Sequence, residues 1–544
     1  MICPTDGDSS VIETEVAIVG AGPAGISLAL ALGRAGVRTA VIESGEESRQ
    51  TWTRELAAAE RLEPPNHAAL EAATHRRLGG ASWIWGGRCV DFEPADFDEK
   101  PGSSPPGWPI SYADAIAEAA PAAAFLGIGP PAFDEDFDWL PRDGALRARL
   151  ERWCNDPRLV RRHMAEIRRS PLVRFYTGLT CTSVTLDSEG HSTVGLCVKS
   201  RSGAPREVTA RHYVIAAGGI ESARLLLASA GQHRGLAGPE SWLGRGYMGH
   251  LEGAVADVVL DGLEEAWVDY RRGPGCYTRP RLMLSESILK REGLLNIGFV
   301  ADNSRLADWR HASGPLSAAA LALATPMLGE TLQPGPIRQI LLGRRLSPAD
   351  VAGHLRNIVR EAPQTAAFLG QVLATRYRRP TAPGLLARNR ARRYRLSYVA
   401  EQSAVRESRI VLSQTRDPLG VPRVRVEKRV RARDAESVLR AHQTLDRELR
   451  RSGLGRLEFL GDPSTLQDRI MADAADGYHQ IGTARMSADP RDGVVDPNCR
   501  VHGTSNLHVV GSAVFPTSGQ ANPTYLTVCL SLRLARRLIA EIKA

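Results

Sequence analysis

The chain has 544 residues, of which 43% are hydrophobic and 24% are charged, a composition that excludes a disordered protein and allows a large core. This length exceeds what one hydrophobic core usually supports, so we expect two intimately packed domains. The formal net charge of +8 is concentrated in residues 336–395, where thirteen arginines face only Asp350 and Glu361. Because the rest of the chain is slightly acidic and no nucleic-acid motif accompanies this region, the charge does not predict a nucleic-acid partner.

Two interpretations of this basic segment, residues 336–395, stay open: a solvated helical face, or a surface that docks to a partner or a membrane.

Eight scattered cysteines without a CxxC pair or metal-binding spacing indicate reduced thiols and predict no metal site. The first ten residues lack the order of a signal peptide. The most apolar run, 316–328, is too short to cross a bilayer and contains Pro326. Together these features predict a cytoplasmic protein without a transmembrane segment.

A dinucleotide-binding motif begins near the start of the chain. The β-branched run 16–19 leads into a glycine turn and a helix rich in alanine and leucine, and a second strand, 39–42, ends in an acid. In such a βαβ unit the glycines let the backbone approach a pyrophosphate at a helix N-terminus, and the acid accepts hydrogen bonds from ribose hydroxyls. The predicted contacts are Gly20, Gly22, Pro23, Ala24, Gly25 and Glu43. The motif does not distinguish FAD from NAD(P), since both present the same ADP half.

Further blocks follow along the chain. Residues 78–87 form a second glycine-rich loop with two tryptophans, and 213–222 is a strand that runs into small residues and an apolar helix. The middle of the chain contains short strand-like runs between turn residues, and 303–390 is typical of helices broken by prolines. The runs are 255–260, 281–284, 295–300, 395–399, 409–412 and 423–426.

The last blocks are the His479-Gln-Ile-Gly-Thr-Ala-Arg-Met run and the segment 518–524, which leads into a final helix. Asn522 is well placed to cap that helix, with Pro523 at its first position. With 16–45, 78–97, 213–229 and 243–250, the region 477–538 completes five ordered blocks that resemble the glucose-methanol-choline (GMC) oxidoreductase family.

The resemblance implies an α/β fold in two parts. A discontinuous, Rossmann-like FAD-binding domain would comprise 1–98, 170–255 and 465–544. A substrate-binding domain with an antiparallel β-sheet and helices would comprise 99–169 and 256–464, with a basic helical insertion at about 303–395. The implied FAD contacts beyond the first glycine turn are Gly80, Trp85, Gly86, Gly87, Cys181, Ala217, Gly218, Gly511, Ser512, Asn522, Pro523 and Thr524.

The resemblance also assigns the chemistry. Hydride removal from an alcohol carbon needs a base for the hydroxyl proton, and neutral histidine suits that role near pH 7. His479 is then the general base beside flavin N5, and Asn522 orients the substrate because an amide has no useful proton. Glu401, near the end of a predicted strand, is a candidate substrate contact. Since Ile84 stands where members with covalently attached flavin have histidine, we predict noncovalent FAD.

Within the family, the tryptophan-containing loop and Asn522 look more like bacterial enzymes that act on sugars and polyols, some of which oxidise an aminoglycoside during antibiotic biosynthesis. The predicted reaction is oxidation of a sugar, amino sugar or polyol hydroxyl to an aldehyde or ketone. The alternatives are a flavin monooxygenase, an NAD(P)-linked dehydrogenase, and a noncatalytic flavoprotein that docks through the basic segment. The oligomeric state and the electron acceptor, whether dioxygen, a quinone or a protein carrier, stay open.

Overall fold

A computed structural model describes most of the chain, with gaps between the described ranges. The described residues are 1–3, 11–98, 107–141, 144–154, 156–231, 241–261, 268–273, 275–303, 305–325, 342, 344–377, 383–384, 386–389, 391–474 and 476–544.

Within these ranges the strands, β1 to β21 in chain order, are Ile2–Cys3, Val11–Glu13, Val16–Val19, Thr39–Glu43, Arg61–Glu63, Arg88–Cys89, Leu146–Trp153, Val173–Thr177, Thr180–Leu186, Thr193–Lys199, Pro205–Thr209, His212–Ile215, His250–Leu260, Arg271–Gly273, Cys276–Leu284, Ile297–Asp302, Arg393–Glu401, Arg409–Arg416, Pro422–Glu427, Gly455–Phe459 and Leu507–Val509. The helices, α1 to α15, are Pro23–Arg34, Thr51–Ala57, Leu70–Ala73, Pro94–Phe97, Tyr112–Ala115, Ala119–Leu126, Leu159–Arg169, Gly219–Ala230, Glu286–Glu292, Gly314–Ala324, Pro348–Arg360, Ala362–Tyr377, Ala432–Arg451, Pro463–Asp473 and Thr524–Lys543.

A parallel sheet of six strands forms the first layer of the fold, in the order β1-β8-β4-β3-β12-β21. The first glycine turn follows β3, and Gly218 and Gly511 follow the neighbouring strands β12 and β21. The carboxyl ends of parallel strands meet at one edge of a sheet, where ligands of such folds bind. Three glycine-containing turns that are far apart in sequence therefore converge at one crevice. The parallel sheet and the antiparallel sheets confirm the predicted α/β class.

An antiparallel sheet of eight strands forms the second large layer, in the order β20-β13-β17-β16-β15-β7-β6 with β14 paired to β15. Its apolar face packs on α13, whose buried residues include Val438 and Leu445. The predicted runs 255–260, 281–284, 295–300 and 395–399 lie in this sheet, as β13, β15, β16 and β17.

The other two predicted runs lie elsewhere. Residues 409–412 and 423–426 belong to β18 and β19, which form a separate three-stranded sheet with β5. Ile410 and Val424 bury their side chains with Ile220 at the start of α8, on the dinucleotide side of the molecule. Local patterns predicted these strands correctly, but not the sheet that they join.

The basic helical insertion is described only in part. Helices α10, α11 and α12 are present, as predicted for this region, whereas residues 326–341 and 378–382 lie outside the described ranges. Arg344 in the described part pairs with Asp350 of α11. No helix among the described residues has the length and apolar character needed to span a bilayer. The domain boundaries given above stay a prediction.

Candidate active site

A cavity of about 680 Å³ lies at the carboxyl ends of β3, β12 and β21. Its lining contains the predicted catalytic pair and nearly every predicted cofactor contact. These lining residues are Gly20, Gly22, Pro23, Ala24, Glu43, Gly80, Trp85, Gly86, Cys181, Ala217, Gly218, His479, Gly511, Ser512, Asn522, Pro523 and Thr524.

Glycines form a cradle at the dinucleotide end of this cavity. At Gly22, Gly86, Gly218 and Gly511, an added Cβ would meet no atom within 4 Å, so each backbone faces open space. Gly22 also caps α1 without a side-chain hydrogen bond, which leaves the first amides of that helix available to an anion. The shape and donor set of this end therefore fit the pyrophosphate of FAD.

Two predicted cofactor contacts, Gly25 and Gly87, do not line the cavity. An added Cβ at Gly25 would lie 1.9 Å from the carbonyl oxygen of Gly20, so this glycine lets α1 pack against its own turn. Gly87 has a φ of +75°, and an added Cβ would lie 3.1 Å from Pro157. Both positions need glycine for packing or backbone conformation.

Glu43 is buried beside the glycine turn. Its two carboxylate oxygens accept backbone hydrogen bonds from Ala21 and Gly45, each at 2.9 Å. Burial raises the pKa of the Glu43 carboxyl, although those amides and Arg76 oppose the shift. Each oxygen has a second lone pair, so the carboxylate can hold both loops and still accept a hydrogen bond from a ribose hydroxyl.

Cys181 lines the cavity from β9. Burial raises the pKa of its thiol well above the ordinary value, and Sγ lies 3.7 Å from the carbonyl oxygen of Ser183. The side chain is therefore a neutral thiol that contributes surface to the cavity rather than charge.

The imidazole of His479 stands at the opposite end of the cavity, with its side chain 18% exposed. Its Nε2 lies 2.9 Å from Asn522 Nδ2. Its Nδ1 lies 3.1 Å from both Asp476 Oδ2 and His250 Nδ1, and 3.4 Å from Glu252 Oε1. The ring therefore has one nitrogen toward Asn522 and the other toward a polar cluster behind it.

The cluster behind His479 sets its charge balance. Burial opposes protonation of the ring, but Asp476 and Glu252 outweigh that effect and raise the pKa of His479 above its ordinary value. Asp476 is itself buried, yet His479 and Lys428 hold the pKa of its carboxyl far below the usual range. The carboxylate also accepts backbone hydrogen bonds from Tyr478 at 2.8 Å and His250 at 3.1 Å. Asp476 is thus ionised and oriented toward Nδ1 of His479.

Asn522 is held by side chains from other elements rather than by the helix that follows it. Arg88 Nε donates to Asn522 Oδ1 at 2.9 Å, and Arg88 in turn contacts the fully buried carboxylate of Glu151 at 3.4 Å. The predicted capping role is wrong, because α15 begins at Thr524 with Pro523 as its N-cap. The Asn522 amide is engaged with Arg88 and His479 instead.

A wall of aromatic and charged side chains flanks this end of the cavity. The rings of Trp153 and Tyr270 lie 5.1 Å apart in an edge-on arrangement. The Arg279 guanidinium lies 4.8 Å from the centre of the Tyr270 ring and 3.0 Å from Asp302, whose side chain is 42% exposed. The wall therefore offers aromatic ring faces together with the exposed carboxylate of Asp302, whereas the Arg279 side chain is buried.

The structure does not bring Glu401 to this cavity. The Glu401 side chain is buried, and its Oε2 accepts from the backbone amide of Asn296 at 3.2 Å. Conversely, three residues of this site were not predicted from the sequence: Arg88, Glu151 and His250. His250 ends one of the five recognised blocks, which was the only sequence signal for it, whereas Asp476 could have been noticed as an acid three residues before His479.

The fold and the cavity define a dinucleotide-binding oxidoreductase, with a glycine cradle at one end and a histidine–amide pair at the other. The sequence pattern of the family described as FAD dependent oxidoreductase matches residues 15–333, and that described as GMC oxidoreductase matches residues 404–531. The chain belongs to the FAD-dependent oxidoreductases and is of the GMC type. FAD is accordingly the dinucleotide that the cradle accommodates.

Similar proteins with assigned activities match short segments. One is a C-glycoside 3-oxidase from Arthrobacter globiformis, 32% identical over 139 residues, which are 25% of each chain. Another is a 6'''-hydroxyparomomycin C oxidase from Streptomyces lividus, 28% identical over 138 residues, or 25% of this chain and 24% of the relative. The matches thus span about a quarter of these relatives.

Solved structures resemble the fold over nearly its whole length. A pyridoxine 4-oxidase from Mesorbium loti superposes with a TM-score of 0.54 at 17% identity, covering 96% of this chain and 99% of that one. A fungal aryl-alcohol oxidase superposes with a TM-score of 0.54 at 15% identity, covering 98% and 99%. At these identities the likeness concerns the fold.

Proposed function

We propose that this protein is an FAD-dependent enzyme that oxidises an alcohol to an aldehyde or ketone, with His479 as the general base. The observation that carries this proposal is the convergence of His479 Nε2 and Asn522 Nδ2, 2.9 Å apart, at one end of a cavity whose other end fits a dinucleotide. Neither a monooxygenase nor an NAD(P)-linked dehydrogenase requires that pair.

In this reaction a substrate hydroxyl lies against the His479–Asn522 pair. His479 Nε2 takes the hydroxyl proton, while the Asn522 amide donates to the oxygen as negative charge develops there. When bound, FAD supplies the acceptor for the hydride that leaves the same carbon with two electrons, so that a C=O bond forms. Asp476 stabilises the imidazolium that results, because its carboxylate lies 3.1 Å from Nδ1.

The substrate class that we propose is a sugar, amino sugar or polyol. Trp153 and Tyr270 offer flat apolar faces to a ring, and the partly exposed carboxylate of Asp302 offers an acceptor to its hydroxyls. The relatives named for activity on a C-glycoside and on hydroxyparomomycin support this class.

Anaerobic mixing tests the proposal directly. The absorbance band of bound flavin should bleach when a sugar or polyol is added without any nicotinamide. A monooxygenase would need NAD(P)H for this bleaching, and a noncatalytic flavoprotein would show none with any alcohol in the panel. Reoxidation of the bleached enzyme by dioxygen, by a quinone or by a protein carrier then identifies the electron acceptor.

Noncovalent FAD is part of the same proposal. Ile84 lines the cavity, is 40% exposed and has no nucleophilic atom for attachment. Acid precipitation of the protein should leave the yellow colour in the supernatant. Colour that stays with the polypeptide would contradict noncovalent binding.

A further inference from the structure

Two sets of hydrogen bonds end on the His479 ring, one at each nitrogen. On the Nε2 side the contacts run from Arg88 through Asn522. On the Nδ1 side they run from the Ser518 carbonyl through His250, with Asp476 alongside. Each set contains a group that can only donate or only accept, so the position of the ring hydrogen follows from chemistry alone.

The Nε2 side is determined by Arg88. A guanidinium can only donate, so the Asn522 atom 2.9 Å from Arg88 Nε is the amide oxygen. The NH₂ group of Asn522 therefore faces His479, with Nδ2 at 2.9 Å from Nε2. Because an NH₂ group also only donates, Nε2 of His479 must present a lone pair.

The Nδ1 side is determined by His250. The Ser518 carbonyl can only accept, so His250 Nε2, at 3.3 Å, carries a hydrogen. Burial lowers the pKa of His250 to about 3, which keeps the ring neutral and leaves a lone pair on its Nδ1. That lone pair and Asp476 Oδ2 each lie 3.1 Å from His479 Nδ1. Two acceptors meet this nitrogen, so it must carry the hydrogen.

We propose that Arg88, acting through Asn522, and His250 are positioning residues that fix His479 in the tautomer with its hydrogen on Nδ1 and a lone pair on Nε2. The contacts on the two sides of the ring favour the same tautomer. The use of that lone pair as a base depends on the proposed function, whereas the tautomer does not. Either ring nitrogen of an unconstrained histidine can carry the hydrogen. Here the Nε2 lone pair accepts from Asn522, and a substrate hydroxyl takes the place of that contact when it binds.

The charged groups around the ring favour the same arrangement. Asp476 and Glu252 lie on the Nδ1 side and attract the hydrogen there. Arg88 lies on the Nε2 side and disfavours a second proton at that nitrogen. Lys428 contacts the Asp476 backbone carbonyl at 3.2 Å and keeps the Asp476 carboxylate ionised.

Nuclear magnetic resonance of the FAD-loaded protein with ¹⁵N-labelled histidine tests the tautomer without any turnover. The chain has 13 histidines, so the His479 signals are assigned by their loss in a His479→Gln variant. Above the pKa of His479, the spectrum should show a protonated Nδ1 and a bare Nε2. A protonated Nε2 in the neutral ring would overturn the proposal.

Two variants of Arg88 distinguish a positioning role from a purely structural one. Arg88→Met removes the donor that orients Asn522, so we expect mixed His479 tautomers and a kcat at least about tenfold lower, with a smaller change in KM. Arg88→Lys keeps a donor and should restore the single tautomer. A single Nδ1-protonated tautomer in Arg88→Met would exclude Arg88 from this role.

Asn522→Asp should shift the pH dependence of the rate, an effect that a purely structural role of Asn522 would not produce. An acceptor then faces Nε2, which should draw a proton onto that nitrogen and move the acidic limb of the pH–rate profile to higher pH by about one unit or more. Asn522→Ala should lower kcat without that upward shift. If both variants leave the limb in place, the proposal fails.

The outcomes also distinguish this proposal from the proposed function. An Nδ1-protonated His479 in a protein that no alcohol reduces would uphold the tautomer and reject alcohol oxidation. An Nε2-protonated ring in an enzyme that alcohols do reduce would reject the tautomer alone.

Discussion

The two ends of the cavity are constructed from different material. The dinucleotide end is mainly backbone, with Gly22, Gly218 and Gly511 each following a strand of one parallel sheet. The end that holds His479 consists of side chains from distant elements, and the Arg88–Asn522 hydrogen bond joins residues 434 positions apart. Each turn of the cradle has a local sequence signature, whereas the end that holds His479 depends on charged side chains that only the complete fold brings together.

The largest expected effect lies at the catalytic end. His479→Ala should lower the rate of anaerobic flavin reduction by about 10²–10⁴-fold, because the hydroxyl proton loses its acceptor. Stopped-flow absorbance measures this rate, and FAD content should stay unchanged since the dinucleotide cradle is untouched. His191→Ala is the matched control, with a side chain 71% exposed at the surface. Reduction at the normal rate in His479→Ala would contradict a base at this position.

The next largest expected effect concerns the buried ion pairs of Glu151, and it is an effect on stability rather than on rate. Glu151 has no exposure and contacts Arg279 at 3.0 Å and Arg281 at 3.3 Å, so Glu151→Gln removes a buried negative charge that both guanidinium groups share. We expect a loss of about 3 kcal/mol in the free energy of unfolding. Denaturant titration measures it.

The control for that substitution is an exposed ion pair. Glu166→Gln removes the contact between Glu166 and Arg34, whose side chains are 35% and 61% exposed, and should cost less than about 0.5 kcal/mol. Equal losses in the two variants would show that burial of the Glu151 network is not what stabilises the fold.

A substitution at the dinucleotide end of the cavity should weaken FAD binding without destabilising the fold. Gly22 has φ −80° and ψ −172°, which other residues adopt freely, and its Cβ would enter open space in the cradle. Gly22→Val should therefore weaken FAD binding by about tenfold or more, through 1–3 kcal/mol of overpacking. Fluorescence titration of the cofactor-free protein measures the affinity.

The thermal unfolding midpoint of cofactor-free Gly22→Val should match that of the unsubstituted protein. Gly370→Val is the control, since an added Cβ there also meets nothing within 4 Å but lies on α12 rather than in the cavity. Unchanged FAD affinity in Gly22→Val would place the pyrophosphate elsewhere.

The smallest predicted effect is a shift in pH dependence. The base must be neutral, so flavin reduction should speed up as pH rises through the pKa of His479, which lies above its ordinary value. Glu252 contributes to that raised pKa from 3.4 Å, with a side chain 40% exposed and hence partly screened by water. Glu252→Gln should move the acidic limb down by less than about one pH unit. A limb that moves up would contradict the charge balance described here.

The difference between the two ends of the cavity also explains how much of the site could be predicted from the sequence. The glycine turn, its helix and Glu43 were predictable because strand, turn and acid lie within thirty residues of one another. His479 and Asn522 were predictable only through resemblance to a family. Gly25 shows the limit even there, because the motif contains it for packing of α1 and not for contact with a ligand.

Long-range pairing could not be predicted from local patterns. Strands β18 and β19 were recognised as strands, but β19 pairs with β5, which places Arg425 opposite Arg61, 364 positions earlier in the chain. Glu151 lies in none of the recognised blocks, and Arg88 lies in the block 78–97 without any sign of its partners, so their importance arises only where β6 pairs with β7. Glu401 lies near the end of a strand, as predicted, but its carboxylate accepts from the Asn296 amide and does not line the cavity.

The buried carboxylate of Glu151 contacts three arginines that have different roles. Arg88 orients Asn522, Arg279 stands in the wall beside Tyr270, and Arg281 donates to the Gln520 carbonyl in the loop just before Asn522. The proposed function therefore predicts that substrate specificity and turnover are coupled through Glu151. An engineer who reshapes the wall at Arg279 should find that its effects do not add to those of changes at Arg88, so that new substrates must be sought with both positions varied together.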